Sequence, residues 1–302
     1  MKVPHPIPYQ GSKRNIAKYI LPFFPLDVEK LIEPFAGSAA LSISAAQSGK
    51  AYKFILNDIN KPLISLLKLI INNPEQISNE YEILWNGQFG NEKEHYKIIR
   101  AKFNETHEPK YFLYLLARCV KAAIRYNSSG EFNQSPDNRR NGRHPKEMRH
   151  DIFATSHLLK DRTILKNNNY KKVFELAGQK DLIYMDPPYQ GVCNNKDPRY
   201  IEGITHSKFI EDLNLLNENG LSFLLSYDGY KGEKHYGVKL PSFLELEKVE
   251  IKAGRSTQST LLGGNEYTYE SLYISKALKE RLTLTIEEIT NSFSAQFELS
   301  LK

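Results

Sequence analysis

The stretch LIEPFAGSAALSISAAQSG, residues 31–49, decides the fold. The apolar pair Leu31-Ile32 predicts the end of a buried strand, and the residues that follow predict a turn. Gly37 allows that turn to be tight because it lacks a Cβ atom. Residues 39–47 then predict a helix of small side chains, which ends at Gly49. The stretch is therefore a strand, a glycine turn and a helix.

The same order is repeated immediately afterwards. A second apolar run, Phe54–Leu56, ends at Asn57-Asp58, and residues 61–71 have the spacing of a helix that stops before Pro74. Alternating strands and helices are typical of a parallel sheet that is covered by helices on both faces. The sequence therefore predicts an α/β fold of the Rossmann-like kind.

The alternation is interrupted and then resumes. Residues 72–168 are polar and rich in aromatic side chains, with a helix predicted over 111–124 and turn-forming residues over 127–141. We interpret them as an insert. Beyond it a strand is predicted over 181–185, followed by a helix and three further strands, over residues 207–216, 221–225, 246–253 and 270–275.

These patterns predict a discontinuous domain with two additions. Residues 1–71 and 169–276 form the main α/β domain, and residues 72–168 form an inserted, mostly helical domain. The C-terminal extension, residues 277–302, has charged helical spacing. We interpret it as a solvated helix, with partner binding as the alternative.

Composition restricts the class of protein. Cys119 and Cys193 lie far apart, without a second Cys or a His at metal spacing, which argues against a disulfide framework or a metal site. Lys and Arg outnumber Asp and Glu by 41 to 35, and the resulting net charge of +6 favours contact with a polyanion.

Prolines interrupt the first residues, MKVPHP, and no apolar run is long enough for a membrane span. We therefore expect a cytoplasmic protein.

Three separated elements form a candidate cofactor site. Asp58 follows Gly37 at the interval expected of an acid at the end of a second strand, where a carboxylate binds the ribose hydroxyls of an adenosine cofactor. The third element, PYQGSKR over residues 8–14, is a glycine-containing loop that opens a helix. From it, Tyr9 is expected to lie against the cofactor and Lys13 to bind the cofactor carboxylate. Taken singly, each of these residues also fits an ordinary structural role.

The tetrapeptide Asp186-Pro187-Pro188-Tyr189 is the candidate for chemistry. It directly follows an apolar strand, at the end where open α/β sheets bind ligands. The prolines fix a rigid turn whose carbonyls project outward as acceptors. The Asp186 carboxylate and the Pro187 carbonyl can bind the two hydrogens of an exocyclic purine amine and direct its lone pair at a methyl group. Tyr189 offers a ring on which an extrahelical base stacks, a contact of about 1–3 kcal/mol.

Together these residues resemble the D12 class, or alpha group, of adenine-specific DNA methyltransferases, over residues 8–275. The resemblance implies a Rossmann-like methyltransferase sheet that binds S-adenosylmethionine, with an inserted target-recognition domain. It implies that the cofactor-binding residues are Tyr9, Lys13, Glu33, Pro34, Phe35, Ala36, Gly37, Asp58 and Asp186. It implies that the catalytic residues are Asp186, Pro187, Pro188 and Tyr189.

Two positions depart from the family pattern. The family often has a second glycine two residues after the first, and a paired glycine before the motif lysine. This chain has Ala39 and Ser12 at those positions. Both residues are small, so we expect weakened cofactor affinity rather than inactivity.

The insert contains a segment, RYNSSGEFNQ over residues 125–134, that is similar to the target-recognition hairpin of the same class. Basic residues surround it with few acids among them, and Arg, Lys, Asn and Gln bind phosphates or base edges in DNA. The predicted DNA contacts are Arg118, Lys121, Arg125, Asn127, Asn133, Gln134, Arg139, Arg140 and Arg143, with Lys146 and Arg149 nearby.

The resemblance predicts methyl transfer from S-adenosylmethionine to N6 of a flipped adenine in double-stranded DNA. Such an enzyme either accompanies a restriction endonuclease or acts alone. Three alternatives stay open. A cytosine N4 methyltransferase also modifies an exocyclic amine, although its tetrapeptide more often begins with Ser. A protein-glutamine or RNA methyltransferase can share the Pro-Pro-Tyr turn but lacks this hairpin and motif order. A DNA-binding module that has lost catalysis would need neither Asp186 nor Lys13.

Overall fold

The computed structural model describes residues 2–188, 205–231, 234–255 and 267–299. Tyr189 and Cys193, both singled out in the sequence, lie outside these residues. The strands that it describes are β1 (Lys30–Glu33), β2 (Lys53–Asn57), β3 (Thr163–Lys166), β4 (Leu182–Met185), β5 (Phe223–Lys231), β6 (Lys234–Tyr236), β7 (Glu247–Arg255) and β8 (Tyr267–Ile274).

The strands form one sheet in the order β3-β2-β1-β4-β5-β8-β7, with β6 paired to β5. The pairs among the first five strands are parallel. Strand β8 runs antiparallel to both β5 and β7. The order reverses at β1, because β2 and β3 follow on one side of it and β4 and β5 on the other. Open sheets of this kind bind ligands in the crevice at such a reversal, so the predicted α/β fold is confirmed and its ligand edge is located.

Helices accompany the sheet and make up most of the insert. Short 3-10 turns occur at residues 13–15, 21–23, 120–122 and 242–244. The α-helices are α1 (Ala17–Ile20), α2 (Ala40–Gln47), α3 (Lys61–Asn72), α4 (Pro74–Asn86), α5 (Glu92–Thr106), α6 (Pro109–Arg118), α7 (Pro145–Leu159), α8 (Tyr170–Phe174), α9 (His206–Glu218), α10 (Lys276–Arg281) and α11 (Ile286–Leu299). Within the described part of the chain, no helix has the length and apolar character needed to cross a membrane.

The sheet is covered on both faces, as the near-continuous apolar strands predict. Side chains alternate between the faces along each strand. On one face Leu31 and Tyr184 pack in a core that includes residues of α1, α2, α3 and the insert helices. On the other face Ile32 and Ile183 pack against residues of α8 and α9, such as Phe209. The result is a three-layer arrangement with the strand ends left open.

Two sequence-based boundaries need correction. Strand β3 pairs in parallel with β2, so the predicted insert of residues 72–168 ends too late and the sheet resumes at Thr163. The helix predicted over 111–124 ends at Arg118, because Lys121 and Ala122 have positive φ values of 59° and 50°. Such values are incompatible with a right-handed helix.

The C-terminal extension is also more than a solvated helix. Ile289 of α11 is buried in the main core, at 2% exposure. On the same helix, Phe293 makes edge-to-face ring contacts with Tyr19 and Phe23, at centroid distances of 5.2 and 6.1 Å. One face of α11 therefore packs on the α1 region, while its other face is polar, as the charged spacing predicts.

The turn after β1 keeps a glycine conformation at a residue that is not glycine. Ala39 precedes α2 with φ 54° and ψ 29°, in the left-handed region. This is one of the two positions where the family pattern often has glycine. The backbone shape is thus retained, and the alanine bears the strain of a Cβ atom in that region, about 1–2 kcal/mol.

We predict that Ala39→Gly lowers the free energy of unfolding by about 1 kcal/mol less than Ala45→Gly does. Both alanines are fully buried, so each variant loses one buried methyl group. At Ala45 the new glycine also lies within α2, whereas at Ala39 it relieves left-handed strain. Urea unfolding of the wild type and both variants measures the difference, and equal losses would contradict the strain assigned to Ala39.

Candidate active site

The carboxyl ends of β1, β2 and β4 open into a cavity of about 320 Å³. All three strands are parallel and adjacent, so the residues that follow them meet at one edge of the sheet. The cavity brings together the three separated elements that the sequence singled out, with the first three residues of the tetrapeptide beside them. Its lining includes Tyr9, Lys13, Glu33, Pro34, Phe35, Ala36, Gly37, Asp58, Asp186, Pro187 and Pro188.

Gly37 is needed at the floor of this cavity for two reasons. Its φ is +51°, and a Cβ atom there would lie 3.1 Å from the Tyr9 ring. The loop that carries Tyr9 is fastened to the same turn, because the Ser12 and Ser38 hydroxyls lie 3.1 Å apart in a hydrogen bond. The N-terminal motif and the first-strand motif therefore form one surface.

The Asp58 carboxylate is held by two backbone amides. Its Oδ2 accepts a hydrogen bond from the Gly37 N–H at 3.0 Å, and its Oδ1 accepts one from the Asn60 N–H at 2.9 Å. Burial raises the pKa of this carboxyl, and the two N–H donors oppose that shift. The acid is thus fixed at the end of β2 with its orientation set by the glycine turn.

Asn57, immediately before Asp58, connects three of the strand ends. Its side-chain amide donates to the Pro34 and Asn168 carbonyls, both at 2.9 Å, and its Oδ1 accepts from the Asn168 N–H at 2.8 Å. The sequence analysis did not assign Asn57 a role. A buried amide directly after an apolar strand was the available indication, since such a group must find partners.

Glu33 is buried at the end of β1 and bonded to the start of α2. Its Oε1 accepts from the Ser42 N–H at 2.9 Å and from the Ser42 hydroxyl. Desolvation raises the pKa of Glu33 to about 7, and the nearby charge of Asp186 contributes in the same direction. Glu33 therefore changes charge near neutral pH within the wall of the cavity.

Asp186 meets two other charged groups at the end of β4. The Lys13 ammonium lies 3.1 Å from Asp186 Oδ1 and 2.8 Å from Glu270 Oε2. The side chain of Lys13 is only 8% exposed, compared with 22% for Asp186 and 24% for Glu270. The prediction for Lys13 concerned a cofactor carboxylate, whereas here its ammonium binds two protein carboxylates. Glu270, on β8, was not predicted.

A buried tyrosine, Tyr184, lies next to these three charged groups. The Tyr184 hydroxyl is hydrogen-bonded to the Ser226 hydroxyl at 2.9 Å. Burial raises the pKa of Tyr184 well above its usual value, the charges of Asp186 and Glu270 act in the same direction, and the Lys13 ammonium opposes them. The ring therefore stays neutral beneath the three charges and separates them from the core.

The insert forms another wall of the cavity. Asn60, which caps α3, donates to the Tyr126 hydroxyl at 3.1 Å. The Gln10 N–H donates to the Ala122 carbonyl at 3.0 Å, and Ile124 lines the cavity directly. The predicted recognition hairpin and the residues just before it are thus bonded to the turn after Asp58 and to the N-terminal loop.

The predicted hairpin is present as a short antiparallel pair. Tyr126 and Phe132 face each other across it, and the Asn127 N–H donates to the Glu131 carbonyl at 2.9 Å. Tyr126 and Phe132 are both buried, so their side chains point inward. The tip, residues 128–130, is exposed.

The alternation along the hairpin corrects one of the predicted DNA contacts. Gln134 points inward with Phe132 and donates to the Val120 carbonyl at 2.9 Å. The Asn127 side chain is bonded within its own turn, to the Ser129 and Glu131 N–H groups. Burial removes Gln134 from the predicted contacts with DNA, whereas Asn127, which is half-buried at the exposed turn, stays a predicted contact.

Two of the predicted basic contacts are also structural. Arg118 is 2% exposed and donates to the Asp137 carbonyl at 3.1 Å. Arg143 lies 2.6 Å from the Asp151 carboxylate and donates to the His5 carbonyl at 2.8 Å. Burial and these partners remove Arg118 from the predicted DNA surface and commit Arg143 to joining α7 with the N-terminal segment.

The remaining predicted contacts share an accessible surface. Arg139 and Arg140 are 75% and 55% exposed, and both pair with Asp137 at 3.0 Å. The Arg139 guanidinium holds the pKa of the Asp137 carboxyl well below its usual range. The exposed members of the predicted set are Lys121, Arg125, Asn133, Arg139 and Arg140, which we call the hairpin basic surface.

Comparison with known proteins gives the same family as the residues. The family model described as D12 class N6 adenine-specific DNA methyltransferase matches residues 9–250. The chain is 27% identical over 235 residues to modification methylase StsI of Streptococcus sanguinis, covering 73% of this chain and 35% of that protein. It is 28% identical over 191 residues to type II methyltransferase M1.LlaDCHI of Lactococcus lactis subsp. cremoris, covering 60% of this chain and 64% of that protein.

A third relative is the DNA adenine methylase of Haemophilus influenzae, 30% identical over 185 residues, with 60% of this chain and 62% of that protein covered. The chain thus spans between about a third and just under two thirds of the length of these three curated relatives. The family model extends from the Tyr9 loop to β7 and includes every motif that lines the cavity. This chain belongs to the D12 class of N6 adenine-specific DNA methyltransferases.

Proposed function

We propose that this chain transfers a methyl group from S-adenosylmethionine to the N6 amine of a flipped adenine in double-stranded DNA. The observation that supports it most is the position of Asp186. It follows β4 at the edge of the cavity that Gly37 and Asp58 line, with its carboxylate 3.1 Å from Lys13 Nζ. Family membership supports adenine over cytosine as the acceptor.

The cavity has the groups that an adenosine cofactor with positive charge needs. The oriented Asp58 carboxylate suits the ribose hydroxyls. Phe35 and Ile59 line the same cavity, and Ile59 is 45% exposed there, which suits an adenine ring. Glu33 and Asp186 complement the cationic sulfur and amino group. When bound, S-adenosylmethionine supplies an activated methyl group on that sulfur.

The protein groups act on the acceptor amine. Its lone pair is delocalised into the purine ring, so the neutral amine is a poor nucleophile. The Asp186 carboxylate and the Pro187 carbonyl accept its two hydrogens, draw the nitrogen toward tetrahedral geometry and hold the lone pair in line. The amine loses a proton only after it has become cationic, so Asp186 aligns and stabilises it rather than acting as a strong base.

The insert is proposed to find the target. With β3 restored to the sheet, the recognition segment covers residues 72–162. The hairpin basic surface lies next to the cavity through Tyr126 and Ala122. We further propose that the enzyme works on DNA in the cytoplasm of a bacterial or phage-infected cell, either with a companion restriction endonuclease or alone.

We predict that Asp186→Ala lowers methyl transfer by about 1000-fold or more while duplex binding is retained, because the amine loses its acceptor. Labelled-methyl transfer to unmodified DNA and methylation-sensitive sequencing of DNA from expressing cells give the rate, the target and the modified atom. Asp27→Ala is the control, since Asp27 is an exposed acid paired with Arg281 at 2.8 Å. Near-normal transfer by Asp186→Ala would refute the acceptor assignment, and sequencing that finds no N6-methyladenine with the wild type would refute the function.

We predict that S-adenosylmethionine binding releases a proton at neutral pH through Glu33. Burial raises the pKa of this carboxyl to about 7, so part of it is protonated before binding, and a cationic ligand favours the ionised form. Affinity should therefore rise as the pH approaches 7 and level off above it. Calorimetry in buffers of different ionisation enthalpy measures the released proton. Release that persists undiminished in Glu33→Gln would assign it to another group.

We predict that Arg139→Ala and Arg140→Ala each weaken duplex binding and reduce the slope of log affinity against log salt by about 1. Both guanidinium groups are exposed on the hairpin basic surface. The matched control is Arg162→Ala, because Arg162 lies over the Tyr52 ring and immediately precedes β3, at the amino end of the parallel strands rather than at the carboxyl ends that open into the cavity. Binding measured by fluorescence anisotropy across a salt series decides this, and an equal change in slope for Arg162→Ala would contradict a localised DNA surface.

A further inference from the structure

Glu270 lies on β8, the strand next to the edge strand β7. Because side chains alternate along a strand, Glu270 shares its face of β8 with Leu272 and Ile274, which are 1% and 0% exposed. It pairs with Gly229 of β5, where a Cβ atom would lie 2.3 Å from the Tyr269 carbonyl. The glycine therefore lets β8 approach closely and brings Glu270 toward the end of β4.

The partner of Glu270 at this place is Lys13. The ammonium lies 2.8 Å from the Glu270 carboxylate and 3.1 Å from that of Asp186, so one cation bridges two acids. Lys13 belongs to the N-terminal loop, Asp186 follows β4 and Glu270 lies on β8, so three separate parts of the chain meet here. The buried Tyr184 hydroxyl, bonded to Ser226, lies within the electrostatic influence of all three charges.

The charge of this trio bears on the proposed reaction. Two carboxylates and one ammonium carry one net negative charge, which suits an acceptor amine that becomes cationic as it is methylated. Glu270 attracts the same ammonium as Asp186, so removing the Glu270 charge would strengthen the hold of Lys13 on the Asp186 carboxylate. That carboxylate would then be a weaker acceptor for the amine.

We propose that Glu270 is a positioning residue for methyl transfer, which shares the Lys13 ammonium so that the Asp186 carboxylate stays available to the acceptor amine. This inference rests on the proposed function. It assigns Glu270 no contact with the adenine or with S-adenosylmethionine. Its effect should therefore be larger on the rate of transfer than on the affinity for either ligand.

The first test is Glu270→Gln, which keeps the shape of the side chain and removes its charge. In single-turnover transfer with saturating DNA and S-adenosylmethionine, we expect a rate about 10- to 100-fold lower, a smaller loss than for a group that contacts the reacting amine. Dissociation constants for both ligands should stay within about threefold. Glu270→Asp, which restores the charge, should recover most of the rate. A normal rate in Glu270→Gln, or a loss confined to ligand affinity, would overturn the proposal.

The second test asks whether Glu270 acts through Lys13. In a Lys13→Met background the shared ammonium is absent, so Glu270→Gln should cause no further loss of rate. Losses that multiply in the double variant would overturn the proposal, because Glu270 would then act by another route. This readout also separates positioning from folding, since a merely structural defect would persist without Lys13.

Glu247→Gln is the matched control. Glu247 lies on the neighbouring strand β7, and its carboxylate is also 2.8 Å from a lysine ammonium, that of Lys279, but this pair is about half exposed and distant from the cavity. It should transfer at the wild-type rate. A wild-type chain that methylates no DNA would refute the proposed function, whereas an active wild type with an equally active Glu270→Gln would refute the role of Glu270 alone.

Discussion

The parallel pairing of β1 with both β2 and β4 is the constraint on which the site depends. Because β1 lies between them, the residues that follow the three strands open on one edge. Backbone groups between paired strands are used in the sheet, so the turns beyond the strand ends supply donors and acceptors for a ligand. Gly37, Asp58 and Asp186 occupy those turns. The strand order therefore determines which turns line the cavity, whatever side chains those turns carry.

The strand-end turns also concentrate acids, which the protein has to hold in a defined state. Asp58 is oriented by two backbone amides, Glu33 by Ser42 and Asp186 by Lys13. Each acid is therefore stabilised by a different kind of partner. Burial raises the pKa of Glu33 to about 7, whereas Lys13 keeps a cation beside Asp186. The cavity can thus receive a cationic ligand without an uncompensated charge in the core.

The sequence predicts most of the sheet because local patterns specify it. Apolar runs ending in turn residues located β1, β2 and β4, and the order of their motifs located the cavity. What it missed depends on pairing between distant segments. Strand β3 is short and only half apolar, so nothing local distinguishes it from the insert. Arg118 and Gln134 are polar types that resemble DNA contacts until packing buries them. For Glu270 the sequence held one indication of a role: the acid falls on the same alternating face of its strand as buried residues.

The insert cannot be treated as an independent attachment, because its hairpin starts at the cavity wall. Asn60 connects the cavity wall to the hairpin. Its N–H donates to the Asp58 carboxylate, and its side chain donates to the Tyr126 hydroxyl. On the other side, the Tyr9 loop is bonded through Gln10 to Ala122. The base of the hairpin is therefore connected by hydrogen bonds to the turn that holds the Asp58 carboxylate and to the loop that carries Tyr9. Since Tyr126 is also packed on Phe132, the orientation of the hairpin and the shape of the cavity are set by the same few contacts.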